Sequence, residues 1–344
     1  MKETVLSSAT GKKIYISQKN GILVRTPSRS ISLDPKRAAS SDYTFVSHAH
    51  VDHVHAPNGK SEVITSRATA ELAKARGFDL GTTSEVANGF ELSDAGHILG
   101  SRAILIEDSV FYTGDFSRRD RGFLKGSKGL KCDTLIMETT YGEPRYVFSE
   151  TEEIVSKVNK IIADAFDKCR PVVLTGYALG KAQMLTYLFR HWAPIYVHDS
   201  VHNMSEVHIS MGVDIPSLVS YQAKDTESLL ARKPWIMISP SMSGRSAFLK
   251  SLKEKYKALT IAFTGWSVDQ NYKFKMGVDY AFDLSDHCDY NELVDLAKYC
   301  NPSKIYTVHG FAEEFANDLN KLGFDAEPLD NEGQERLSSF SNRD

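Results

Sequence analysis

A short stretch of the chain combines three histidines with an aspartate. His48, His50, Asp52 and His53 lie within HAHVDH, which directly follows the apolar run YTFVS. In extended chain, side chains two residues apart share a face, so His48 and His50 are placed to bind one metal ion while Asp52 and His53 turn toward a second. Imidazole and carboxylate ligands suit a catalytic zinc ion, which keeps one position open for water. Because the chain has only 11 histidines, this clustering favours a metal site over a solvated loop.

Two further metal-binding side chains follow turns or strand ends downstream. His97 lies between two glycines in AGHILGS, and Asp115 directly follows the run VFYT in TGD. Taken separately, each motif is more typical of an ordinary turn or a capped loop. Their order after HAHVDH, rather than either motif alone, indicates that they belong to the same centre.

The composition is that of an ordinary globular protein. The chain has 344 residues, is 42% hydrophobic and 25% charged, and carries a formal net charge of -3. That charge does not match a domain that binds nucleic acid by overall positive charge, so any such binding must be local. The cysteines are scattered without a CxxC pair, which argues against a zinc ribbon or a disulfide framework. MKETVLSSAT lacks the apolar core of a signal peptide and no run has the length of a membrane span, so we expect a cytoplasmic protein without membrane contact.

Strand-like and helical patterns divide the chain. Short β-branched and aromatic runs such as YTFVS, AILIE and TLIME dominate the first third and predict a strand-rich half. From Thr151 to Cys169 apolar residues recur at helical spacing, which predicts an amphipathic helix. PVVLT, GKAQMLTYLFRHW and PIYVH then predict a strand, a helix and a strand, as in a parallel βαβ layer. A similar rhythm around PWIMISP and LTIAFTG indicates a separate lobe in the middle of the chain.

In combination, the motifs resemble a known family. HAHVDH, AGHILGS, TGD and METTYG, in this order, resemble the metallo-β-lactamase-fold nucleases, and GYALGKAQ, LSDHCDY and VHG resemble their β-CASP subgroup. The resemblance spans about residues 30–325. It implies an α/β fold, namely an αββα metallo-β-lactamase sandwich with an inserted α/β β-CASP cap domain. The implied division assigns 1–170 and 264–344 to the sandwich and 171–263 to the cap.

The resemblance also implies a centre with two zinc ions and seven ligands. These are His48, His50 and His97 for one ion, Asp52, His53 and His309 for the other, and Asp115 as the bridge between them. Asp34 would support a ligand from behind without touching the metal. The implied catalytic residues are Asp52, Glu138 and His287, with Glu138 orienting His287 as the acid that protonates the departing sugar oxygen.

Substrate contacts are predicted at two places where a strand runs through a turn into a helix. Free backbone N–H groups at helix starts favour phosphate, and ordinary helix capping is the alternative explanation. The predicted substrate-binding residues are Lys181, Ser241, Ser243 and Arg245. The basic loop from Ser117 to Cys132 follows Asp115 and is expected to guide phosphate. The other histidines of the middle lobe fit no ligand spacing, so we expect no second metal site there.

These features predict a metal-dependent nuclease that acts on single-stranded nucleic acid, with RNA favoured over DNA. We expect 5′-to-3′ exonuclease or endonuclease action in RNA processing, and a DNA exonuclease of DNA repair is the alternative. His309 in the final motif favours RNA, whereas YALGKAQ, FTGW and LSDH resemble ligase-associated DNA exonucleases. A small-molecule metallo-hydrolase would lack the middle lobe, and an inactive subunit of a processing complex would lack ligands, so both are less favoured. The sequence also leaves open that two copies of the chain form a homodimer.

Overall fold

The computed structural model describes residues 4–7, 13–18, 20–55, 61–223 and 226–329. The chain divides into two compact units. Unit 1 comprises Met1–Arg119, Lys125–Pro144 and His287–Asp344, and unit 2 comprises Asp120–Leu124 and Arg145–Asp286. The chain therefore leaves unit 1 and returns to it, so HAHVDH and VHG belong to the same unit.

The first sheet of unit 1 follows the order of the chain. Its strands are β1 (Thr4–Ser7), β2 (Lys13–Gln18), β3 (Ile22–Arg25), β4 (Ser30–Leu33), β5 (Tyr43–Phe45), β6 (Glu62–Ile64) and β7 (Thr83–Ser84). The pairings from β1 to β4 are antiparallel, and those from β4 to β7 are parallel. Helix α1 (Arg67–Ala75) connects β6 to β7.

The second sheet of unit 1 combines strands from both ends of the sequence. In spatial order they are β19 (Ala326–Pro328), β18 (Lys304–Val308), β11 (Thr134–Glu138), β10 (Val110–Tyr112), β9 (Arg102–Ile106) and β8 (Phe90–Asp94). The pairings from β19 to β10 are parallel, so the carboxyl ends of these strands lie at one edge of the sheet. Helices α8 (Tyr290–Cys300) and α9 (Ala312–Lys321) flank β18 in the sequence.

Alternation along the strands gives unit 1 its layers. Successive strand residues point to opposite faces. Ile104 of β9 belongs to a core that it shares with Phe45 of the first sheet, whereas its neighbour Leu105 packs with Leu293 of α8 and Phe315 of α9. The two sheets therefore share one core, and α8 and α9 cover the outer face of the second sheet. The prediction of an α/β metallo-β-lactamase fold is confirmed.

Unit 2 is built on one parallel sheet. In spatial order its strands are β14 (Val219–Ser220), β13 (Ile195–Val197), β15 (Ile236–Pro240), β12 (Val172–Gly176), β16 (Leu259–Phe263) and β17 (Tyr280–Phe282). Its helices are α2 (Thr151–Asp167), α3 (Lys181–Phe189), α4 (Asp199–Ser210), α5 (Thr226–Leu230), α6 (Ala247–Tyr256) and α7 (Tyr272–Met276), with a 3-10 turn at Gly265–Val268. Leu174 packs with Ile154 of α2, and its neighbour Val173 packs with Leu249 of α6, so helices cover both faces.

The limits of unit 2 differ from the predicted cap at 171–263. Helix α2 belongs to unit 2 because its apolar stripe packs in the same core as Leu174. Beyond the predicted end, β17 pairs with β16 and Leu284 joins that core. The amphipathic pattern of α2 predicts that it covers a sheet, but not which sheet. The division into domains stays a prediction. The compact unit observed in this part of the chain runs from Arg145 to Asp286.

Membrane-spanning segments were also expected to be absent. Helix α2 has 17 residues and carries Glu152 and Glu153 in its first turn. Within the described part of the chain, none of the helices combines the length and the apolar character that crossing a bilayer demands.

Candidate metal centre

The predicted ligands of unit 1 lie just beyond strand ends. HAHVDH follows β5, Asp115 follows β10, and His309 directly follows β18. Glu138 is the last residue of β11. Since β10, β11 and β18 are parallel, Asp115, Glu138 and His309 share one edge of the second sheet. His97 lies in the turn between β8 and β9.

Four of the predicted ligands meet within a small volume. One ligand atom from each of His48, His50, His97 and Asp115 lies within 4.8 Å of all the others. Nδ1 of His50 is 3.1 Å from Nε2 of His48 and 3.2 Å from Nε2 of His97. Two ligands of a tetrahedral zinc ion, each about 2.1 Å from it, lie about 3.4 Å apart. Both the spacing and the chemistry of these side chains fit a zinc ion.

Asp115 faces histidines that the family resemblance assigns to different ions. Its Oδ2 is 3.6 Å from Nε2 of His48, 3.6 Å from Nε2 of His53 and 3.8 Å from Nε2 of His97. On the side of the second predicted ion, Oδ2 of Asp52 is 3.7 Å from Nε2 of His53. The ring centroid of His309 is 5.7 Å from that of His53. The seven predicted ligands thus lie in one unit, with Asp115 close to histidines of both predicted sets, and its role as a bridge stays a prediction.

Asp34 organises the side of the cluster away from the metal. Its Oδ2 accepts hydrogen bonds from Nδ1 of His53 at 2.9 Å, Oγ of Ser47 at 2.6 Å and the hydroxyl of Tyr112 at 2.8 Å. Its Oδ1 accepts the backbone N–H of Ser47 at 2.7 Å. The sequence pointed to Asp34 but not to Ser47 or Tyr112, because a serine before a histidine and a tyrosine at a strand end carry no signal of their own.

These hydrogen bonds fix the tautomers of two histidines. His53 donates from Nδ1 to Asp34, so Nε2 is the nitrogen that would bind a metal once its proton is displaced. Since Oγ of Ser47 donates to Asp34, it accepts from Nδ1 of His48 at 2.9 Å. The lone pair of His48 Nε2 therefore also faces Asp115. Metal-bound histidines are commonly oriented by such outer hydrogen bonds.

Burial controls the protonation of the cluster. It lowers the pKa of His48 well below the usual value, and it lowers the pKa of His309 to about 4. Burial would also lower the pKa of His53, but nearby carboxylates, Asp115 first, raise it well above the usual value. Burial raises the pKa of Asp115 to about 6. Neutral imidazoles such as those of His48 and His309 offer the lone pairs that a metal ion requires.

Glu138 binds His287, as the family resemblance implied. Its Oε1 accepts from Nδ1 of His287 at 2.8 Å, and its Oε2 accepts from the backbone N–H of Thr140 at 2.8 Å. Glu138 is only 1% exposed. Burial favours a raised pKa for Glu138, but His287 and the hydrogen bonds from Thr140 hold it below its usual value. A charged carboxylate therefore holds the His287 ring, whose centroid is 4.6 Å from that of His97.

Two glycines permit the turns that carry ligands. Gly96 precedes His97 with φ of +73°, and a Cβ atom there would lie 2.4 Å from the carbonyl oxygen of Ser117. Gly310 follows His309 with φ of +55°, and a Cβ atom there would lie 2.4 Å from the carbonyl oxygen of Thr139. Only glycine combines that backbone conformation with such close approach.

Lys181 does not have the exposed position that a phosphate contact requires. The residue is 1% exposed, and its Nζ is 2.9 Å from Oδ1 of Asp286. Arg121 also donates to this carboxylate oxygen, at 2.8 Å. Burial, partly offset by Asp286, lowers the pKa of Lys181 to about 8. A helix begins at Lys181 after a turn, as predicted, but the Lys181 side chain runs into unit 2 because Gly176 leaves room for it.

The other predicted substrate contacts lie in the loop between β15 and α6 of unit 2. Oγ of Ser243 accepts the backbone N–H of Arg245 at 3.2 Å, and Ser241 hydrogen-bonds Tyr272. The exposed guanidinium of Arg245 donates to the carbonyl oxygens of Lys275 and Phe274, at 3.2 and 3.4 Å. These contacts connect the loop to α7. The substrate-binding assignments stay predictions.

Comparison with known proteins connects this centre to a family. Residues 272–327, which include His287 and His309, match the Zn-dependent metallo-hydrolase RNA specificity domain. A probable DNA ligase of Opitutus terrae is 32% identical over 314 residues, which cover 86% of this chain and 29% of the ligase. An RNase J-like protein of Methanocaldococcus jannaschii is 26% identical over 344 residues, which cover 78% of this chain and 81% of that protein.

A solved structure supports the fold. The crystal structure of an Enterococcus faecalis protein of unknown function has a TM-score of 0.61 and 14% identity, and covers 94% of this chain and 99% of that one. The likeness concerns the fold alone. This chain spans 29% of the length of the ligase relative, so the likeness does not assign it the activity of the whole ligase.

Proposed function

We propose that this chain is a metal-dependent nuclease of the β-CASP group of metallo-β-lactamase-fold proteins. The observation that carries the proposal is the position of Asp115 Oδ2, within 3.8 Å of Nε2 of three histidines. A carboxylate surrounded by imidazole nitrogens at strand ends is an arrangement for binding cations and not for packing. Phosphodiester hydrolysis is the reaction for which such a centre and an adjacent acid are suited.

We further propose two zinc ions, with the seven ligands shared as the family resemblance implies. His48, His50 and His97 would hold one ion, and the donor spacing around His50 supports this set. Asp52, His53 and His309 would hold the other. The support here is the approach of Asp52 and Asp115 to the same Nε2 of His53. Bound zinc ions would supply a nucleophile from water at neutral pH and offset charge on the phosphate.

The chain's own acid is His287. Nδ1 of His287 donates to Glu138, so we assign the proton transfer to Nε2, the other ring nitrogen. The buried carboxylate of Glu138 stabilises the imidazolium form, which carries a proton on Nε2. His287 would give that proton to the departing sugar oxygen, and Glu138 would keep the ring from turning.

Single-stranded RNA is the proposed substrate, and single-stranded DNA is the second candidate. For RNA, the support is the match to an RNA specificity domain and the RNase J-like relative, whose alignment covers 81% of that protein. For DNA, the support is the 32% identity to a probable DNA ligase, although that alignment covers 29% of the ligase.

The test is cleavage of end-labelled oligonucleotides. Purified protein is incubated with RNA and DNA of the same sequence, each with a 5′-phosphate or a 5′-hydroxyl, before and after zinc is removed with a chelator and restored. We expect zinc-dependent cleavage that is faster on RNA, and the product ladder distinguishes exonuclease from endonuclease action. Wild-type protein that contains zinc yet cleaves neither polymer would contradict the proposed function.

Two variants separate the roles of the side chains. Replacement of a proposed ligand, His97→Ala, should abolish cleavage and lower the zinc content. Replacement of the proposed acid, His287→Ala, should slow cleavage by about 100-fold or more while the zinc content is retained. Both variants are purified in parallel with the wild type, so a contaminating nuclease would appear as equal activity in all three. Zinc loss in the His287→Ala variant would identify His287 as a ligand instead of an acid.

A further inference from the structure

Arg119 joins two parts of unit 1 that are far apart in the sequence. Its guanidinium donates to Oδ2 of Asp289 at 2.7 Å and to Oε1 of Glu292 at 2.8 Å. These carboxylates belong to the capping box of α8, in which Asp289 also accepts the backbone N–H of Glu292, at 3.0 Å. Asp289 is 1% exposed. Arg119 thus holds the first turn of the helix that begins three residues after His287.

The segment that carries Arg119 is itself held in place by backbone contacts. It begins at the proposed bridge Asp115. Ser117 donates its backbone N–H to the carbonyl oxygen of Ala95 at 2.9 Å, and its own carbonyl oxygen accepts the N–H of Ser127 at 2.7 Å. Gly126 lies so close that a Cβ atom there would be 2.0 Å from the carbonyl oxygen of Arg118. The backbone of residues 116–119 therefore has little freedom to move.

The same segment contacts both the backbone next to His287 and the Glu138 side chain that binds its ring. The backbone N–H of Phe116 donates to Oε1 of Glu138 at 3.3 Å, the oxygen that also accepts Nδ1 of His287. The carbonyl oxygen of Phe116 accepts the N–H of Cys288, the residue after His287, at 3.0 Å. The backbone that follows His287 and its Glu138 partner are thus both hydrogen-bonded to the backbone of one residue, Phe116. Arg119 completes this arrangement by fixing the helix that follows.

From these contacts we propose that Arg119 is a positioning residue that sets the orientation of His287 through the start of α8. The inference rests on the proposed function, since it assigns Arg119 to the proposed acid. For Arg119, it also replaces the expectation that this residue of the basic loop guides phosphate. The charge of Arg119 is already matched by two carboxylates, and its side chain is 21% exposed.

The test exploits the chemistry of the leaving group. The variant Arg119→Met removes the contact, and kcat and KM are measured on an oligonucleotide and on a p-nitrophenyl ester of thymidine 5′-phosphate. The alkoxide of a sugar needs a proton to depart, whereas p-nitrophenolate does not. We expect kcat on the oligonucleotide to fall about 10- to 100-fold with KM unchanged, and kcat on the ester to change less than about threefold.

A double-mutant cycle with His287→Ala supplies a second readout. If Arg119 acts only through His287, Arg119→Met should cause no further loss of kcat once His287 is absent. The matched control is Lys304→Met, which removes another cation of unit 1 that binds two carboxylates, Asp325 at 2.7 Å and Glu327 at 3.2 Å. This control should leave kcat on both substrates unchanged.

The outcomes separate this inference from the proposed function. Failure of the wild type to cleave any oligonucleotide would overturn both proposals. With an active wild type, equal losses on the two substrates, or losses that multiply in the double variant, would overturn the role of Arg119 and leave the nuclease intact. Thermal unfolding and zinc content are measured for every variant. If Arg119→Met does not fold, Arg119→Lys decides the question, because lysine keeps the charge but cannot bind both carboxylates as a planar fork.

Discussion

At the scale of single residues, hydrogen bonds behind the cluster decide what the ligands present. Asp34 accepts from His53 directly and is linked to His48 through Ser47, and so turns Nε2 of each ring toward Asp115. The family resemblance points to Asp34, but the identity of its partners depends on which strands become neighbours. Tyr112 reaches Asp34 across 78 residues of sequence, and no local pattern predicts that contact.

The first prediction concerns the carboxylate behind the ligands. In Asp34→Asn, one oxygen is replaced by an amide that can no longer accept from His53 or from Tyr112. We expect the apparent zinc affinity to fall about 10- to 100-fold, measured by competition with a chromogenic chelator. The same change at exposed Asp42, which accepts from Ser30, is the control and should leave the affinity unchanged. An unaltered affinity in Asp34→Asn would show that the ligands do not depend on this support.

The second prediction concerns His208, a buried histidine of α4 outside the metal centre. Its Nδ1 donates to the carbonyl oxygen of Met204 at 2.8 Å, and its Nε2 has no hydrogen-bond partner among the described residues. A proton on Nε2 would be buried without an acceptor, and burial lowers the pKa of His208 from 6.5 to about 4. Between these values the unfolded chain binds a proton that the folded chain does not, so stability is lost as the pH falls from 6.5 toward 4.

The measurement is the free energy of unfolding in denaturant at pH 7 and pH 4.5. His208→Gln keeps a donor for Met204 but removes the titration. We expect the stability difference between wild type and variant to change by about 2 to 3 kcal/mol between the two pH values, with the wild type losing more in acid. His202→Gln on the same helix is the control. Parallel losses in wild type and His208→Gln would refute this assignment.

At the scale of elements, short-range patterns predicted the strands and helices but not their partners. The run YTFVS predicts β5, and the helical spacing after Thr151 predicts α2. That α2 covers the sheet of unit 2 follows from the match between its apolar stripe and Leu174, which depends on the folded chain. Lys181 shows the same limit. Its place at a helix start was predicted, but its ion pair with Asp286 joins residues 105 positions apart, and nothing near Lys181 in the sequence indicates it.

The third prediction tests the turn that presents His97. In Gly96→Ala, the added Cβ would lie 2.4 Å from the Ser117 carbonyl oxygen, so the turn must move. Gly81 also has positive φ, but a Cβ atom there would meet nothing within 4 Å. Gly81→Ala should therefore cost only the backbone term of about 1 kcal/mol, whereas Gly96→Ala should cost roughly 2 kcal/mol more and weaken zinc binding. Denaturant unfolding and chelator competition measure both effects, and equal costs at the two sites would show that the close approach is unimportant.

At the scale of the whole molecule, the sequence order hides how the metal centre is assembled. The seven proposed ligands come from the ranges 48–53, 97–115 and 309, all of which lie in unit 1 although unit 2 interrupts that unit. Unit 2 contains no proposed ligand and has hydrophobic clusters of its own, built on β12 and β15. Motif order made the metal centre predictable because the ligand types are chemically restricted. The limits of unit 2 were less predictable, because the composition of an apolar helix or strand does not show which of the two units it packs against.

The last prediction follows from the location of all proposed ligands in unit 1. Zinc that binds only the folded form of unit 1 should stabilise that unit by mass action and slow amide exchange in β5, β10 and β18. Truncation of a buried side chain in unit 2, Ile238→Ala, should cost about 2 to 5 kcal/mol and speed exchange in β12 and β15. The zinc-induced protection of β10 and β18 should remain in this variant, as measured by hydrogen–deuterium exchange with mass spectrometry. Loss of that protection would mean that the metal centre depends on the packing of unit 2 and that the two cores unfold together.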